Sequence, residues 1–204
     1  MLRFFILNLL KIPSWLWRKV LIWVNRLRFA LYGIRFGKKI MVLGYPALFI
    51  EQNSKVSFGD DCVISNGGVN PLCVGRRTVI FCKKGACVSV GNHCGFSSTT
   101  FFIFKSLSIG SNVLVGGNVV FMDTDAHSLD WRIRRDWHKD SQCHEDKGIV
   151  VGDDTFIGMD TTILKGVHIG SRVVIGAGSL VTSDIPDDCV AAGRPAKVIR
   201  MLVK

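Results

Sequence analysis

At 204 residues the chain has room for one domain and a small appendage, and its 48% of hydrophobic residues predict a packed core, which excludes an intrinsically disordered protein. The net charge of +10 is concentrated at the N-terminus. Residues 1–40 contain nine of the 26 basic residues and no acidic one, which leaves 17 bases against 16 acids in the rest of the chain. The basicity is therefore a property of the N-terminal segment alone.

The seven cysteines point to a reduced protein without a structural metal. They form no C-x-x-C pair and no zinc-ligand spacing, and no small-residue cleavage site of a secretory signal follows the N-terminus. We therefore expect free thiols that serve as small hydrophobic residues in a cytoplasmic protein with no bound metal.

Residues 1–40 are predicted to form a basic, amphipathic helical segment. Ser14 can cap a helix that begins after Pro13, and Gly33 and Gly37 can end it. The helical period then separates an apolar face from a basic one. The apolar face contains Leu16, Val20, Trp23, Val24, Leu27 and Leu31, and the other contains Arg18, Lys19, Asn25 and Arg26.

Two roles for this segment are open. Its longest unbroken apolar run, Val20–Val24, is too short to cross a bilayer. The three tryptophans and the absence of acids favour a helix that lies on an anionic membrane surface. The alternative is a helix whose apolar face packs on the rest of the chain. The high apolar content disfavours an arm that binds nucleic acid.

An aliphatic residue recurs every six positions in the second half of the chain. Read from Ile149, the successive blocks are IVVGDD, TFIGMD, TTILKG, VHIGSR, VVIGAG and SLVTSD. Their third positions are Val151, Ile157, Ile163, Ile169, Ile175 and Val181. An earlier run, LSIGSN, VLVGGN and VVFMDT, keeps the register with Ile109, Val115 and Phe121, and weaker repeats occupy Val56–Gly67 and Val88–Phe96.

This period predicts a stack of triangular coils. Six residues provide one short strand and one turn, so three units make a coil, and successive coils stack as parallel sheets. The aliphatic residue points into the prism, and Gly, Asn and Asp supply turns that need positive φ. We predict an all-β domain at residues 41–186, with a loop at 123–148 and a tail at 187–204.

The repeats resemble those of the hexapeptide-repeat acyltransferase family, and the closing stretch IPDDCVAAGRPAKVIR resembles its C-terminal signature. The resemblance covers about residues 54–200 and is nearest to the sugar and polysaccharide O-acetyltransferases. It implies a left-handed parallel β-helix, a homotrimer with each active site between two subunits, and acetyl-CoA as the acetyl donor.

The loop that interrupts the repeats opens with the sequence DTDAH, which ends at His127. The resemblance places the catalytic histidine at the start of this loop. Chemically, a sugar hydroxyl needs a general base when it attacks a thioester, and imidazole suits that role near neutral pH. Asp123 or Asp125 could hold the ring through its other nitrogen, and the spacing does not decide between them. Direct transfer of this kind needs no catalytic cysteine.

Acceptor-side residues are expected in two places. Trp131 and Arg132 in the loop suit stacking on a sugar and contact with an anionic group, although the loop could equally pack on a neighbouring subunit. Ser97 and Ser98 lie roughly where the family has polar residues on the acceptor side. The other histidines, His93, His138, His144 and His168, are expected in turns or at the surface.

The resemblance also implies a set of CoA contacts. Its members are Met159, Ala177, Thr182, Lys197 and Arg200. Together with Ala177, Gly158 and Gly176 would leave backbone exposed for a pantetheine arm. The two basic residues can pair with phosphates. Met159 and Ser183 depart from the usual residues of the family, so some contacts must differ.

The predicted function is acetyl-CoA-dependent O-acetylation of a sugar or glycan-precursor hydroxyl by a cytoplasmic enzyme, with possible contact to the inner face of a membrane and none to nucleic acid. N-acetylation of an amino sugar stays open. A metal-dependent hydratase is disfavoured because His127 has no companion histidine before His138. A non-catalytic scaffold is disfavoured because the loop and the C-terminal signature are both intact.

Overall fold

The computed structural model describes residues 14–66, 73 and 75–202. Residues 1–13, including the predicted helix break at Pro13, lie outside the described residues. Three helices are described: α1 at Ser14–Leu31, α2 at Trp131–Arg134 and α3 at Trp137–Asp140. The strands of the described residues form three sheets.

The sheets form the three sides of a prism. The first contains β1 (Arg35–Phe36), β4 (Lys55–Phe58), β7 (Cys87–Val90), β10 (Ser106–Ile109), β13 (Ile149–Val151) and β16 (His168–Ile169). The second contains β2 (Met41–Leu43), β5 (Val63–Ser65), β8 (Gly95–Ser97), β11 (Leu114–Gly117), β14 (Phe156–Ile157), β17 (Val174–Ile175), β19 (Cys189–Gly193) and β20 (Ala196–Met201). The third contains β3 (Ala47–Ile50), β6 (Val79–Cys82), β9 (Thr100–Ile103), β12 (Val120–Met122), β15 (Thr162–Leu164) and β18 (Leu180–Val181).

From β1 to β18 the chain visits the sheets in strict rotation, so every three strands complete one coil. Among the described strands all pairs are parallel except β19 with β20, which form an antiparallel hairpin at the end of the second sheet. This is the left-handed parallel β-helix that was predicted. The first coil begins at Arg35 in β1, within the segment predicted to be helical, because α1 already ends at Leu31.

The aliphatic position of each hexad points into the prism, as predicted. Its six members between Val151 and Val181 are at most 2% exposed. Each stacks on its equivalent in the next coil, for example Ile157 on Ile175 in the second sheet. Phenylalanine takes this position in the middle coils, where the rings of Phe101 and Phe121 stack with centroids 5.7 Å apart. The repeat therefore builds one continuous hydrophobic core.

In the turns, the positive φ expected of glycine falls to a different residue, and glycine is needed for close packing instead. In the G-x-x turn after β13, the positive φ of 55° belongs to Asp154 and not to Gly152. A Cβ added to Gly152 would lie 2.6 Å from backbone atoms of Gly170 and Ser171 in the next coil. Glycine is thus required at this corner by the close stacking of coils, and aspartate supplies the left-handed turn.

All seven cysteines are free, and five of them are buried. Cys62 and Cys94 occupy the same corner in successive coils, where each thiol donates to a carbonyl oxygen, that of Gly91 at 3.2 Å and that of Gly110 at 3.1 Å. The buried cysteines serve as small core residues, as expected. Cys87 and Cys143 are exposed.

The N-terminal helix α1 packs against the first coil of the prism. Phe29 is fully buried between Phe36 and Phe58, with ring centroids 6.3 and 6.1 Å away. Asn25 is also fully buried and donates to the carbonyl oxygens of Val42 and Gly44 at 3.1 and 2.7 Å. The helix therefore docks on the domain through the face that contains Asn25 and Phe29.

Candidate active site

The loop predicted at 123–148 leaves the prism between the third sheet and the first. Its two ends are held together by a narrow neck. Lys147 N donates to the carbonyl oxygen of Asp123 at 2.9 Å, and Asp125 N donates to that of Glu145 at 3.2 Å. Lys165 in the next coil forms ion pairs with Asp125, at 2.8 Å, and with Glu145. The first residues beyond this neck are therefore held in a fixed position.

His127 stands just beyond the neck and is held by a carboxylate from the other side of the loop. Its Nδ1 lies 2.6 Å from Oδ2 of Asp140, the last residue of α3. The other oxygen of Asp140 accepts a hydrogen bond from Ser128 N at 2.7 Å. The Asp140 residue is only 8% exposed, whereas the His127 side chain is 69% exposed. One carboxylate thus orients both the ring and the backbone that carries it.

This contact sets the tautomer of the ring. The hydrogen bond from His127 and that from Ser128 N hold the pKa of Asp140 below its ordinary value, so this carboxylate is ionised and acts as an acceptor. Nδ1 must therefore donate to it. In the neutral ring Nε2 is then the nitrogen with a free lone pair, and it belongs to the exposed side chain. This is the arrangement that a general base requires.

The two acids predicted to orient His127 have other partners, which corrects that expectation. Asp123 is fully buried, and its carboxylate accepts from the backbone N–H groups of Phe104, Lys105 and Ser106 at 2.7, 2.8 and 2.7 Å. Burial raises the pKa of Asp123, although those three donors act in the opposite direction. Asp125 pairs with Lys165. Both acids maintain the neck, and neither contacts the ring.

The return arm of the loop is held by a second histidine. His144 has a side chain only 10% exposed, with Nδ1 2.8 Å from Asp146 and Nε2 3.2 Å from Nζ of Lys83. Its ring also meets Phe104 edge-on, with centroids 5.2 Å apart. Both ring nitrogens are therefore engaged, which leaves neither for catalysis. His144 is a structural residue and not the surface residue that was expected.

Two of the remaining histidines lie on the outside of the prism. His168 is exposed on the first sheet, as its position next to the inward slot predicts. His93 sits in a turn with φ of 57°, with a side chain 59% exposed. His138 is exposed in α3 and stacks on Trp137, with ring centroids 3.7 Å apart. Of the five histidines, His127 alone combines exposure with a buried carboxylate partner at hydrogen-bonding distance.

An apolar groove of about 420 Å³ runs along the outer surface of the second sheet. It crosses β11, β14 and β17, and its lining includes Ser97, Phe156, Met159 and Ala177. A smaller hollow of about 260 Å³ continues it over β5 and β8. Four of the residues predicted to contact CoA, Gly158, Met159, Gly176 and Ala177, thus line one continuous groove.

The groove glycines also have a structural requirement. A Cβ on Gly158 would lie 2.5 Å from Ala177 N, and one on Gly176 would lie 2.8 Å from the Cβ of Ala192. These positions are therefore restricted to glycine by coil stacking, whether or not a ligand lies in the groove. Ala177, in contrast, is exposed, and its side chain faces the groove.

The two predicted basic residues lie on the same side of the second sheet as the groove. Lys197 pairs across the β19–β20 hairpin with Ala192, and Arg200 pairs with Val190. Directly paired residues of an antiparallel hairpin share a face, and the alternation along β19 turns Ala192 and Val190 outward. Thr182 follows β18 in the third sheet, so the structure does not bring it to the groove.

The predicted acceptor-side residues fall into three environments. Ser97 lies in the groove with its hydroxyl 3.2 Å from that of Ser65. Ser98 is 2% exposed and donates to the carbonyl oxygen of Arg76, so its position does not support a contact with substrate. Trp131 and Arg132 are exposed on α2. Arg132 forms an ion pair with Asp130 at 2.7 Å.

Sequence reasoning missed Asp140. The residue follows His127 by 13 positions, in a loop without any repeat. The available signal is local: Asp136 caps α3 by accepting from His138 N and Lys139 N, and this short helix turns Asp140 back toward the ring. A capping aspartate before a four-residue helix predicts a turn, but it does not predict which residue the end of that turn will contact.

Known proteins share the repeats of this chain. Residues 148–183 match the family model described as bacterial transferase hexapeptide (six repeats). A putative lipopolysaccharide biosynthesis O-acetyl transferase of Escherichia coli is 27% identical over 81% of this chain and 81% of its own length. The galactoside O-acetyltransferase of E. coli is 41% identical over 47% of this chain and 44% of its own length. The chain spans about half the length of the other leading curated relatives, and the lipopolysaccharide biosynthesis O-acetyl transferase is the exception.

Solved structures extend the likeness to the whole fold. A hexapeptide-repeat acetyltransferase of Vibrio cholerae in complex with acetyl coenzyme A has a TM-score of 0.55 and is 26% identical, covering 88% of this chain and 76% of that one. The fold and the repeats therefore define a left-handed β-helix of the hexapeptide type. In its repeats and in its fold, the chain is similar to the hexapeptide-repeat acyltransferases.

Asp123→Ala is expected to lower the free energy of unfolding by about 2 kcal/mol or more, because it leaves three partly buried N–H groups without their acceptor. Glu145→Ala is the matched control, since it removes an exposed carboxylate of the same neck and should lower the free energy of unfolding much less than Asp123→Ala does. Denaturant unfolding followed by circular dichroism measures both. Equal losses in the two variants would contradict the role given to Asp123.

Proposed function

We propose that this protein transfers the acetyl group of acetyl-CoA to a hydroxyl of a sugar or glycan precursor, with His127 as the general base. The observation that carries the proposal is the hydrogen bond between His127 Nδ1 and Asp140. It orients the ring, and it leaves Nε2 free on a side chain that is exposed just beyond the neck of the loop. The class of reaction is supported by the match of residues 148–183 to the hexapeptide transferase model and by the likeness to an acetyltransferase solved with acetyl coenzyme A. The sugar acceptor is supported by the names of the two E. coli relatives.

The reaction requires one proton to move twice. Nε2 of His127 accepts the proton of the acceptor hydroxyl while its oxygen attacks the thioester carbonyl carbon. When the tetrahedral species collapses, the carbon–sulfur bond breaks and the same nitrogen returns the proton to the departing thiolate. The imidazolium formed between these steps is stabilised by the carboxylate of Asp140, 2.6 Å from Nδ1. No cysteine takes part.

The groove on the second sheet suits the pantetheine arm of CoA. It is apolar and narrow, and it crosses three coils of about 4.8 Å each, which matches an extended chain that lies along the prism. Lys197 and Arg200 at the end of this sheet can pair with the phosphates of CoA. Met159 and Ala177 then flank the thiol-bearing arm.

The base and the groove imply an assembly of several chains. The loop leaves the corner between the third and first sheets, which in a triangular prism is opposite the second sheet that holds the groove. A site that joins His127 to the groove is therefore completed by a neighbouring subunit. The homotrimer implied by the family meets this requirement, since each loop can then face the groove of the next chain.

The outer surfaces of the sheets are consistent with such packing. The first sheet exposes mostly polar residues, such as Lys55, Ser89 and His168. The third sheet instead has an aromatic row that includes Phe49, which is 55% exposed, and Phe81 stacked on Phe102 at 5.0 Å. Two apolar sides and one polar side are what a subunit needs when it packs around a threefold axis.

His127→Ala is expected to lower kcat by at least about 10²-fold, because no other group accepts the hydroxyl proton. His168→Ala, an exposed histidine on the first sheet, is the control and should retain full activity. The measurement is release of free CoA thiol from acetyl-CoA in the presence of a panel of sugar and amino-sugar acceptors. Near-wild-type activity of His127→Ala on the preferred acceptor would remove the assignment.

Asp140→Asn is expected to lower kcat by at least about tenfold and by less than His127→Ala, because the amide neither fixes the tautomer nor stabilises the imidazolium. Asp136→Asn is the control, since asparagine caps a helix as well as aspartate does. Both variants are compared with wild type for kcat and for thermal midpoint. An activity loss in Asp140→Asn that only follows a lowered midpoint would argue for a purely structural role.

Ala177→Leu is expected to raise the KM for acetyl-CoA about tenfold while kcat changes by less than about twofold, because the larger side chain fills the groove without reaching the base. Ala177→Ser, which keeps the groove open, is the control. Initial rates over a range of acetyl-CoA concentrations measure both values. An unchanged KM in Ala177→Leu would place the coenzyme elsewhere on the subunit.

A further inference from the structure

The helix α1 exposes a continuous apolar stripe. Its members and their exposed fractions are Leu16 39%, Val20 42%, Trp23 66%, Leu27 48% and Leu31 77%. Their spacing of three or four residues places them on one face over the length of the helix. They belong to the apolar face that the sequence predicts, and the structure shows that this face does not pack on the prism. Exposed apolar surface of this extent marks an interaction site.

The stripe is held in place from the opposite side of the helix. At about 100° per residue, Trp23 and Leu27 lie nearly half a turn away from Asn25, which is fully buried against the first coil. Arg26 donates to the carbonyl oxygen of Ile40 at 3.1 Å, and Arg28 donates to that of Pro46 at 3.0 Å. The helix is therefore docked by its polar and aromatic contacts, and its apolar stripe is directed away from the domain.

The charge around the stripe has a single sign. The helix has four basic residues and no acid, and the first acid of the chain is Glu51. Arg26 and Arg28 donate to carbonyl oxygens, and within the described part of the chain neither forms an ion pair with a carboxylate. The described helix thus presents a tryptophan and aliphatic side chains within a positively charged field.

We propose that this stripe binds the headgroup region of an anionic lipid bilayer, with α1 lying in the plane of the membrane surface. Apolar side chains enter the boundary of the acyl chains, an indole ring sits at headgroup depth, and arginine and lysine attract anionic lipid. Among the helices of the described residues, none combines the length and apolar character needed to cross a bilayer.

Charge argues against a second copy of the helix as the occupant. Packing two stripes face to face would bring two sets of four basic residues together, and neither helix contains an acid to pair with them. An anionic lipid surface supplies the opposite charge. In a trimer, three such helices would act together, and the combined affinity would exceed that of a single helix.

Co-sedimentation of the full chain with vesicles tests the proposal. The probes are vesicles of phosphatidylcholine alone and vesicles of phosphatidylcholine with phosphatidylglycerol. We expect the wild-type chain to bind the anionic vesicles at least about tenfold more strongly than the neutral ones, and high salt to weaken that binding. The double variant Trp23→Ser/Leu27→Ser should lower binding to anionic vesicles at least about tenfold. Val150→Ser, which removes an exposed apolar residue from the first sheet, should leave it unchanged.

Size-exclusion chromatography of the same variants separates the lipid from a protein partner. Unchanged oligomer size and melting curve in Trp23→Ser/Leu27→Ser, together with lost vesicle binding, support the proposal. It is overturned if the wild-type chain binds neither type of vesicle, if it binds both equally, or if the double variant changes oligomer size while it still binds vesicles. None of these measurements depends on acetyltransferase activity, so the outcome is independent of the proposed function.

Discussion

The close approach of successive coils at the corners of the prism is the constraint on which the remaining structure depends. At Gly152 and Gly158 a single Cβ would meet backbone of the next coil at 2.6 Å or less, so each coil lies directly on its neighbour. This contact keeps the strands of a sheet in register and stacks the inward residues, such as Ile157 on Ile175. A long insertion cannot be absorbed inside such a stack. It must leave at a corner and return to the same corner.

The loop with His127 shows the consequence. Because the coils on both sides are fixed, they can hold the neck of the loop. Asp123 accepts hydrogen bonds from the N–H groups of residues 104–106 in one neighbouring coil, and Lys165 in the other coil pairs with Asp125. The acids of the loop thus have separate tasks. Those at the neck maintain its position, and Asp140, at the end of α3, orients the ring. Asp123 is fully buried and accepts hydrogen bonds from three backbone N–H groups of the neighbouring coil, away from the exposed imidazole of His127.

The same geometry explains why the proposed function calls for more than one chain. The groove follows the second sheet along the axis of the prism, while the loop stands at the corner opposite to it. A rigid prism cannot bend to bring the two together, so the proposed function requires that the partner of each lie on another subunit. At the N-terminal end of the prism, α1 covers the first coil. It docks through the buried side chains of Asn25 and Phe29, and its apolar stripe stays available for another surface.

The sequence by itself determined the repeat, the inward slots, the position of the loop and the histidine at its start, because these depend on a six-residue period and on a motif that is contiguous in the chain. It also identified the groove residues Gly158, Met159, Gly176 and Ala177, since the coil relates equivalent positions by a constant spacing. Only the tertiary structure decided that Asp140 and not Asp123 or Asp125 orients His127, that Ser98 is buried, and that α1 docks through Asn25 and Phe29. Those contacts join residues brought together by a non-repeating loop or by the docking of one element on another, and no local period encodes which side chains will then meet.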